Sequence, residues 1–334
     1  MALAGSKRID DFGDAAAEAR DCRTACAVFD FSFVECARLE GNGARRVVEA
    51  FAGCSLETLG VGKIRYALRV GPGGEAVADL TIWRTGGETY EVMSGRHEDI
   101  SDLLHCAGDQ IDVFDVGPDM AMFALQGPAS LTTLGRLGDI GSIEALGYFN
   151  FGHAKLNGIA CRIGRLGYTG EAGFEIITAR EHAHALWQTL SVLARPAGFI
   201  AADILRIEAG FVLFSNEFRF RVSPSEAGLG KFHQSSRLTT PEILLISFRA
   251  EGDSLKWPWE PSRQLKRPVS PDEIAVTSAC ESIVAGGVLG LGYVLAKTEA
   301  DSNWREPTGA FRNIRRVPMP FYDTAKRRPR APWR

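Results

Sequence analysis

A chain of 334 residues is too long for one ordinary hydrophobic core and long enough for two or three, with room for a ligand between them. Hydrophobic residues make up 45%, charged residues 24%, and the formal net charge is −3, which argues against a nucleic-acid binder, a membrane-surface protein or a disordered scaffold. The opening "MALAGSKRIDDFGDAAAEAR" is too charged for a secretory leader and no apolar run approaches a membrane span, so a cytoplasmic protein is expected.

The elements are read in chain order. "DAAAEARDCRTACAVFDFS" starts as a helix and ends in an apolar strand, and "ARLEGNGARRVVEAFAG" reads as strand, tight turn and amphipathic helix. "IRYALRVGPGGEAVADLTIWRTGGETYEVMSG" alternates as three strands broken by glycine turns, and "HEDISDLLHCA" closes the block as a helix. Strands and helices then alternate again from "MAMFALQGPASLTTLGRL" to "AADILRIEAGFVLF", a second α+β unit. Residues 252–273, rich in proline and charge, read as a connection; "IAVTSACESIVAGGVLGLGYVLAK" reads as a small all-β barrel. The last residues, "KRRPRAPWR", read as a solvated basic tail. Seven scattered cysteines form no C-x-x-C and read as reduced thiols, and no histidine spacing suggests a metal site. No phosphate-binding glycine loop stands between a strand and a helix, which argues against a nucleotide cofactor.

One stretch carries more chemistry than its neighbours. "GRLGYTGEAGFEI", residues 164–176, sets glycines and two glutamates around one tyrosine. On a strand, Phe174 and Ile176 face one way and Glu175 the other. Such a carboxylate either reaches solvent, pairs with an arginine, or accepts two parallel N–H bonds from a planar amidine-like edge, as in guanidinium, guanine or a pterin. Tyr168 is placed to stack or hydrogen-bond beside it. The glycines are read as letting a hairpin approach a flat ligand closely.

This stretch is similar to the R-x-G-Y-T-G-E-x-G-x-E-I signature of the glycine cleavage T-protein (aminomethyltransferase) superfamily, and other pieces follow in the same order. "VFDFS" resembles G-L-F-D-L-S, "GGEAVADLTIWR" resembles G-G-I-x-D-D-L-x-V-x-R, and "ALQGPAS" resembles L-Q-G-P-x-S. "DILRIEAGFVLFSNEF" and "VTSACESIVAGGVLGLGYV" resemble the family's later motifs, so the resemblance runs from about residue 28 to about 295. It implies an α+β, three-domain cloverleaf ring, two α+β lobes and a C-terminal β-barrel around a central folate channel. The expected boundaries are 1–240 for the folate-binding region, with the first lobe interrupted by the second around 55–135, then 241–325 for the barrel and 326–334 for the basic tail.

The resemblance also implies tetrahydrofolate as cofactor. Asp79 matches the acid beside its reactive nitrogens, Glu175 the carboxylate gripping the amino edge of the pterin with Tyr168 alongside, Tyr66 a tyrosine of the pterin pocket, and Arg206 an arginine that contacts the folate. Read on its residues alone, Arg206 suits a ligand carboxylate or an internal ion pair with Glu208 or another acid. A single positioned carboxylate such as Asp79 can exchange a proton with a reacting nitrogen or stabilise its developing charge. Departures from the family pattern stand at "FVECA" (33–37), Ala78, Ser94 and Ala202. They turn the expectation toward a tetrahydrofolate-dependent transferase that demethylates a small N-, O- or S-methyl compound. The alternatives are a folate-binding protein without transfer chemistry and the glycine cleavage aminomethyltransferase itself. The expected partner is a small methylated substrate, with no nucleic acid and no membrane, and a carrier protein is the less expected alternative.

Overall fold

The computed structural model describes residues 8–106, 111–233, 240–254, 265–297 and 303–333. They divide into two compact units, Met1–Arg69 with Ala78–Ala202 and Arg327–Arg334, and Val70–Val77 with Asp203–Lys326. The chain builds α1 (Ala15–Thr24), β1 (Ala27–Asp30), β2 (Glu35–Glu40), α2 (Ala44–Ala52), β3 (Ile64–Val70), β4 (Ala76–Gly86), β5 (Thr89–Ser94), α3 (His97–Cys106) and β6 (Asp112–Asp115). It continues with β7 (Met120–Gln126), the short helices α4 (Ser130–Gly135) and α5 (Gly141–Glu144), β8 (Phe151–Leu156), β9 (Ile159–Gly164), β10 (Gly173–Ala179), α6 (Ala183–Leu193), β11 (Arg195–Ala197) and α7 (Phe199–Glu208).

The first unit holds two sheets. One has the order β3-β4-β5-β2-β6 and the other β11-β1-β7-β10-β9-β8, so the strands from β2 to β6 are inserted between the adjacent strands β1 and β7. Period-two alternation decides which way each sheet faces. Leu80, Ile82, Tyr90 and Val92 of the first sheet pack with Val48 and Ala52 of α2 and Ile100 and Leu103 of α3. Phe123, Leu125, Ile163, Phe174 and Ile176 of the second pack with Leu134, Ile143, Leu186 and Leu190 from α4, α5 and α6.

Each sheet thus has helices on one face, and the two remaining faces meet. Trp83 of β4 is fully buried against Gly164 of β9, where an added Cβ would lie 2.2 Å from the indole ring. Arg162 of β9 forms an ion pair with Glu91 of β5, and its guanidinium carbon stands 5.4 Å from the Trp83 ring centroid. Asp79, Thr81 and Trp83 alternate onto this inner face from β4, and Glu175 and Gly164, which pair directly, reach it from the other side.

The second unit adds α8 (Phe214–Glu217), β12 (Ile243–Gly252), β13 (Ala275–Ser282), β14 (Gly287–Leu295) and β15 (Phe311–Val317). These strands form an open four-stranded sheet, β13-β14-β12-β15, and not the closed barrel expected from their glycine-rich alternation. The glycines of the central strand have a packing role instead. A Cβ on Gly290 would lie 2.4 Å from the Phe248 ring, and one on Gly292 would lie 2.9 Å from the Ala275 carbonyl oxygen. Among the described residues four strands, bulged between Val276 and Ser278 and between Arg249 and Glu251, curve without joining edge to edge. Part of the 252–273 connection, 255–264, lies outside the described residues.

The basic tail is a second correction. Its described residues pack onto the first unit: Pro329 is buried, Trp333 stacks on Phe174 with centroids 5.0 Å apart, and Arg328 pairs with Glu171 at 2.8 Å. A solvated tail was expected from its charge, but its proline and tryptophan have apolar surface to cover and its Arg328 has a buried acid to meet.

Candidate functional site

The signature turn joins β9 to β10 through residues 165–172, and a side chain from β7 organises it. Gln126, fully buried, donates from Nε2 to the carbonyls of Leu166 (3.1 Å) and Phe174 (3.3 Å), and its Oε1 accepts from the Thr169 hydroxyl (2.9 Å). A Cβ on Gly167 would lie 1.9 Å from Gln126, and one on Gly173 2.6 Å. These glycines therefore make room for Gln126, and not for a ligand as the sequence suggests. Gly167→Ala is expected to destabilise the protein by about 1–3 kcal/mol, as for forced overpacking, read as a lower urea midpoint at unchanged slope.

The two glutamates of the turn have opposite surroundings. Glu171 is buried between two arginines, accepting from Arg23 at 3.1 Å and Arg328 at 2.8 Å. Its charge is committed inside the protein. Glu175 is largely buried, yet among the described residues its carboxyl has no hydrogen-bond or ion-pair partner, and burial alone pushes its pKa up to about 7. Directly across the sheet stand Ala124 on one side and Gly164 on the other, so the carboxyl rises from a floor of small residues. Tyr148 lies close enough for the Glu175 charge to act on its hydroxyl, which burial raises to about 12.

A second group forms around Asp79. The Tyr66 hydroxyl donates to the carboxylate of Asp79, with Tyr168 close by; burial first, then the charge of Asp79, hold the Tyr66 pKa well above its usual value. Tyr66 thus stays protonated and fixes the orientation of Asp79. Asp79 is half-buried, flanked along its strand by the buried Ala78 and Leu80 that point into the core.

Arg206 lies in the second unit, fully buried, with its donors committed internally. Its Nε bonds Asp203 (2.7 Å), Nη1 bonds Glu217 (2.9 Å) and the Phe211 carbonyl (3.1 Å), and Nη2 bonds the Ser278 hydroxyl (2.6 Å). This is the internal ion pair that the sequence allows, with Asp203 and Glu217 as the acids. Glu217→Ala is expected to cost about 3–5 kcal/mol by leaving the Arg206 charge buried with half its compensation, measured by denaturant unfolding. Ser94 is also occupied: its hydroxyl donates to the buried Asp99 (2.5 Å) and accepts from the Arg96 amide (3.1 Å), tying down the start of α3.

The site that emerges is an inner sheet face with one carboxyl that has no partner among the described residues, one oriented carboxylate, and the three tyrosines Tyr66, Tyr148 and Tyr168. A flat heterocycle with an amino edge suits these residues, because among the described residues the Glu175 carboxyl has no donor pair and the side chain across from it on β7 is the small Ala124. Sequence reasoning missed Gln126, Trp83 and Tyr148. Trp83 was within reach, since it shares the alternation of Asp79.

The model of the GCVT N-terminal domain family matches residues 6–237. The chain belongs to this family. The match includes Tyr66, Asp79, Tyr168, Glu175 and Arg206. The aminomethyltransferase of Chloroherpeton thalassium is 31% identical over 222 residues, 64% of this chain and 61% of that protein. The aminomethyltransferase of Rubrobacter xylanophilus is 29% identical over 333 residues, 92% of this chain and 86% of that protein. The crystal structure of the glycine cleavage system aminomethyltransferase T from Bartonella henselae superposes with a TM-score of 0.76 at 22% identity, covering 97% of this chain and 94% of that one, which establishes the shared fold. Among the described residues, no helix is long and apolar enough to cross a membrane.

Proposed function

We propose that this GCVT family member transfers an aminomethyl-derived one-carbon unit to tetrahydrofolate, the donor being an amine carried on a protein-bound arm. The family membership makes it a tetrahydrofolate-dependent transferase. The observation that carries the reading is Glu175, a largely buried carboxyl that has no hydrogen-bond or ion-pair partner among the described residues and stands across from the small Ala124. Its two oxygens would accept the paired N–H donors of the pterin amino edge, with Tyr148 beside them and Tyr168 on the side of Tyr66 and Asp79. Tetrahydrofolate supplies the amines that take up the one-carbon unit. Asp79, oriented by Tyr66, holds or moves a proton at the reacting nitrogen and stabilises positive charge there. The curated relatives support aminomethyl transfer over demethylation of a free small compound.

A thermal-shift titration of the wild type and Glu175→Ala with tetrahydrofolate, folate and guanosine tests the binding half. A shift for tetrahydrofolate that Glu175→Ala abolishes is the expected result, and no shift for any folate would sink the reading. One observation keeps a demethylase as the second reading: Ser94, where the family pattern has a different residue, spends its hydroxyl on Asp99 and offers nothing to a donor. Folate product formed from an N-methyl amino acid, and none from an aminomethylated lipoyl carrier, would favour that second reading.

A further inference from the structure

We infer that the C-terminal segment Arg328–Trp333 is a positioning element that clamps the signature turn and thereby holds Glu175 in place, an inference that rests on Glu175 as the ligand-reading carboxylate. A turn bearing Gly164, Gly167, Gly170 and Gly173, with Gly170 at φ +78°, has wide backbone freedom and does not order itself. Gln126 pins it from within. The C-terminal segment pins it from outside at three points. Arg328 donates from Nε to Oε2 of Glu171, whose Oε1 accepts from Arg23. Trp333 lies flat on Phe174, at an interplanar angle of 18°, one residue before Glu175. Arg165, where the turn begins, donates to the carbonyls of Leu146 (2.7 Å) and Ala331, and its guanidinium carbon sits 4.9 Å from the Trp333 ring centroid.

These contacts reach the turn at its start, middle and end. The turn is thus tied at residues 165, 171 and 174 by a segment that lies more than 150 residues further along the chain. The docked segment also leaves the Arg165 Nε and the Trp333 Nε1 buried without partners among the described residues.

Three forms of the full chain test the inference: truncation after Lys326, Arg328→Gln, and Trp333→Phe, which keeps the stacked ring. Hydrogen exchange of the turn amides and calorimetric titration with tetrahydrofolate are read on each. The truncated and Arg328→Gln proteins are expected to exchange faster over residues 167–174 and to bind about tenfold more weakly at unchanged stoichiometry, and Trp333→Phe to behave as the wild type. Reduced stoichiometry at unchanged affinity would mean that the segment only stabilises the fold and would overturn the inference, as would faster exchange without any change in affinity. A wild type that binds no tetrahydrofolate would remove the reading of Glu175 itself, a failure seen before any variant is compared.

Discussion

Glu175→Gln is expected to make the protein more stable at about pH 8 while weakening tetrahydrofolate binding by about 1.5–3 kcal/mol, the worth of hydrogen bonds to a charged group. Both halves follow from one carboxyl. With its pKa raised from 4.5 to about 7, Glu175 holds its proton longer in the folded chain than in the unfolded one. Its contribution to stability is therefore fully present below the unfolded value and is lost as pH rises through about 7. Above that pH the folded protein carries a largely buried charge with no partner among the described residues, at a cost of up to about 3 kcal/mol. Glutamine removes the charge at nearly constant volume, so thermal unfolding should show a higher Tm for the variant near pH 8, a difference that shrinks toward about pH 5. Ligand affinity runs the other way. A pterin edge that donates two N–H groups needs the carboxylate, so wild-type affinity should fall about tenfold per unit as pH drops below about 7. A Tm that falls in Glu175→Gln at both ends of the range would show that the carboxyl is structurally paired, and the site reading would fail.

How far this was legible in the sequence depends on the range of the interactions. Alternation along "GFEII" is local, and it places Glu175 off the core face correctly. It gives no means of telling Glu175 from Glu171, because the difference lies in Arg23 and Arg328, which stand 148 and 157 positions away. The same limit explains the glycines. Their spacing is visible, but the side chain that requires them, Gln126, comes from a strand about 40 positions earlier. Arg206 shows the same limit more mildly: an internal pair with an acid was readable, but the acid named was Glu208, which the structure turns toward Ser282, while Arg206 pairs with Asp203 one helical turn away and with Glu217. The barrel and the solvated tail were misread from composition, which records how many glycines or arginines are present and not what surface they meet.

The second large effect is catalytic and separates an enzyme from a folate-binding protein of the same fold. Asp79→Asn is expected to retain tetrahydrofolate binding within a few-fold and to lose about 10²–10⁴ in kcat, the span usual for removal of a positioned acid or base. The hydroxyl of Tyr66 donates to Asp79, and asparagine can still accept that bond through its amide oxygen, so the local geometry survives the change. What disappears is the negative charge and the capacity to exchange a proton beside the reacting nitrogen. Tyr66→Phe gives the graded control: Asp79 keeps its charge but loses its orienting donor, so kcat should fall by less than in Asp79→Asn, with the same sign. The two variants form a pair with Glu175→Gln in steady-state kinetics. Loss confined to kcat at Asp79 and to binding at Glu175 would divide the inner face into a reacting end and a reading end. An Asp79→Asn protein that turns over at the wild-type rate would assign Asp79 to structure alone and move the proton exchange to another group, whereas a wild type that binds tetrahydrofolate and turns over no donor would leave folate binding without transfer as the function of the site.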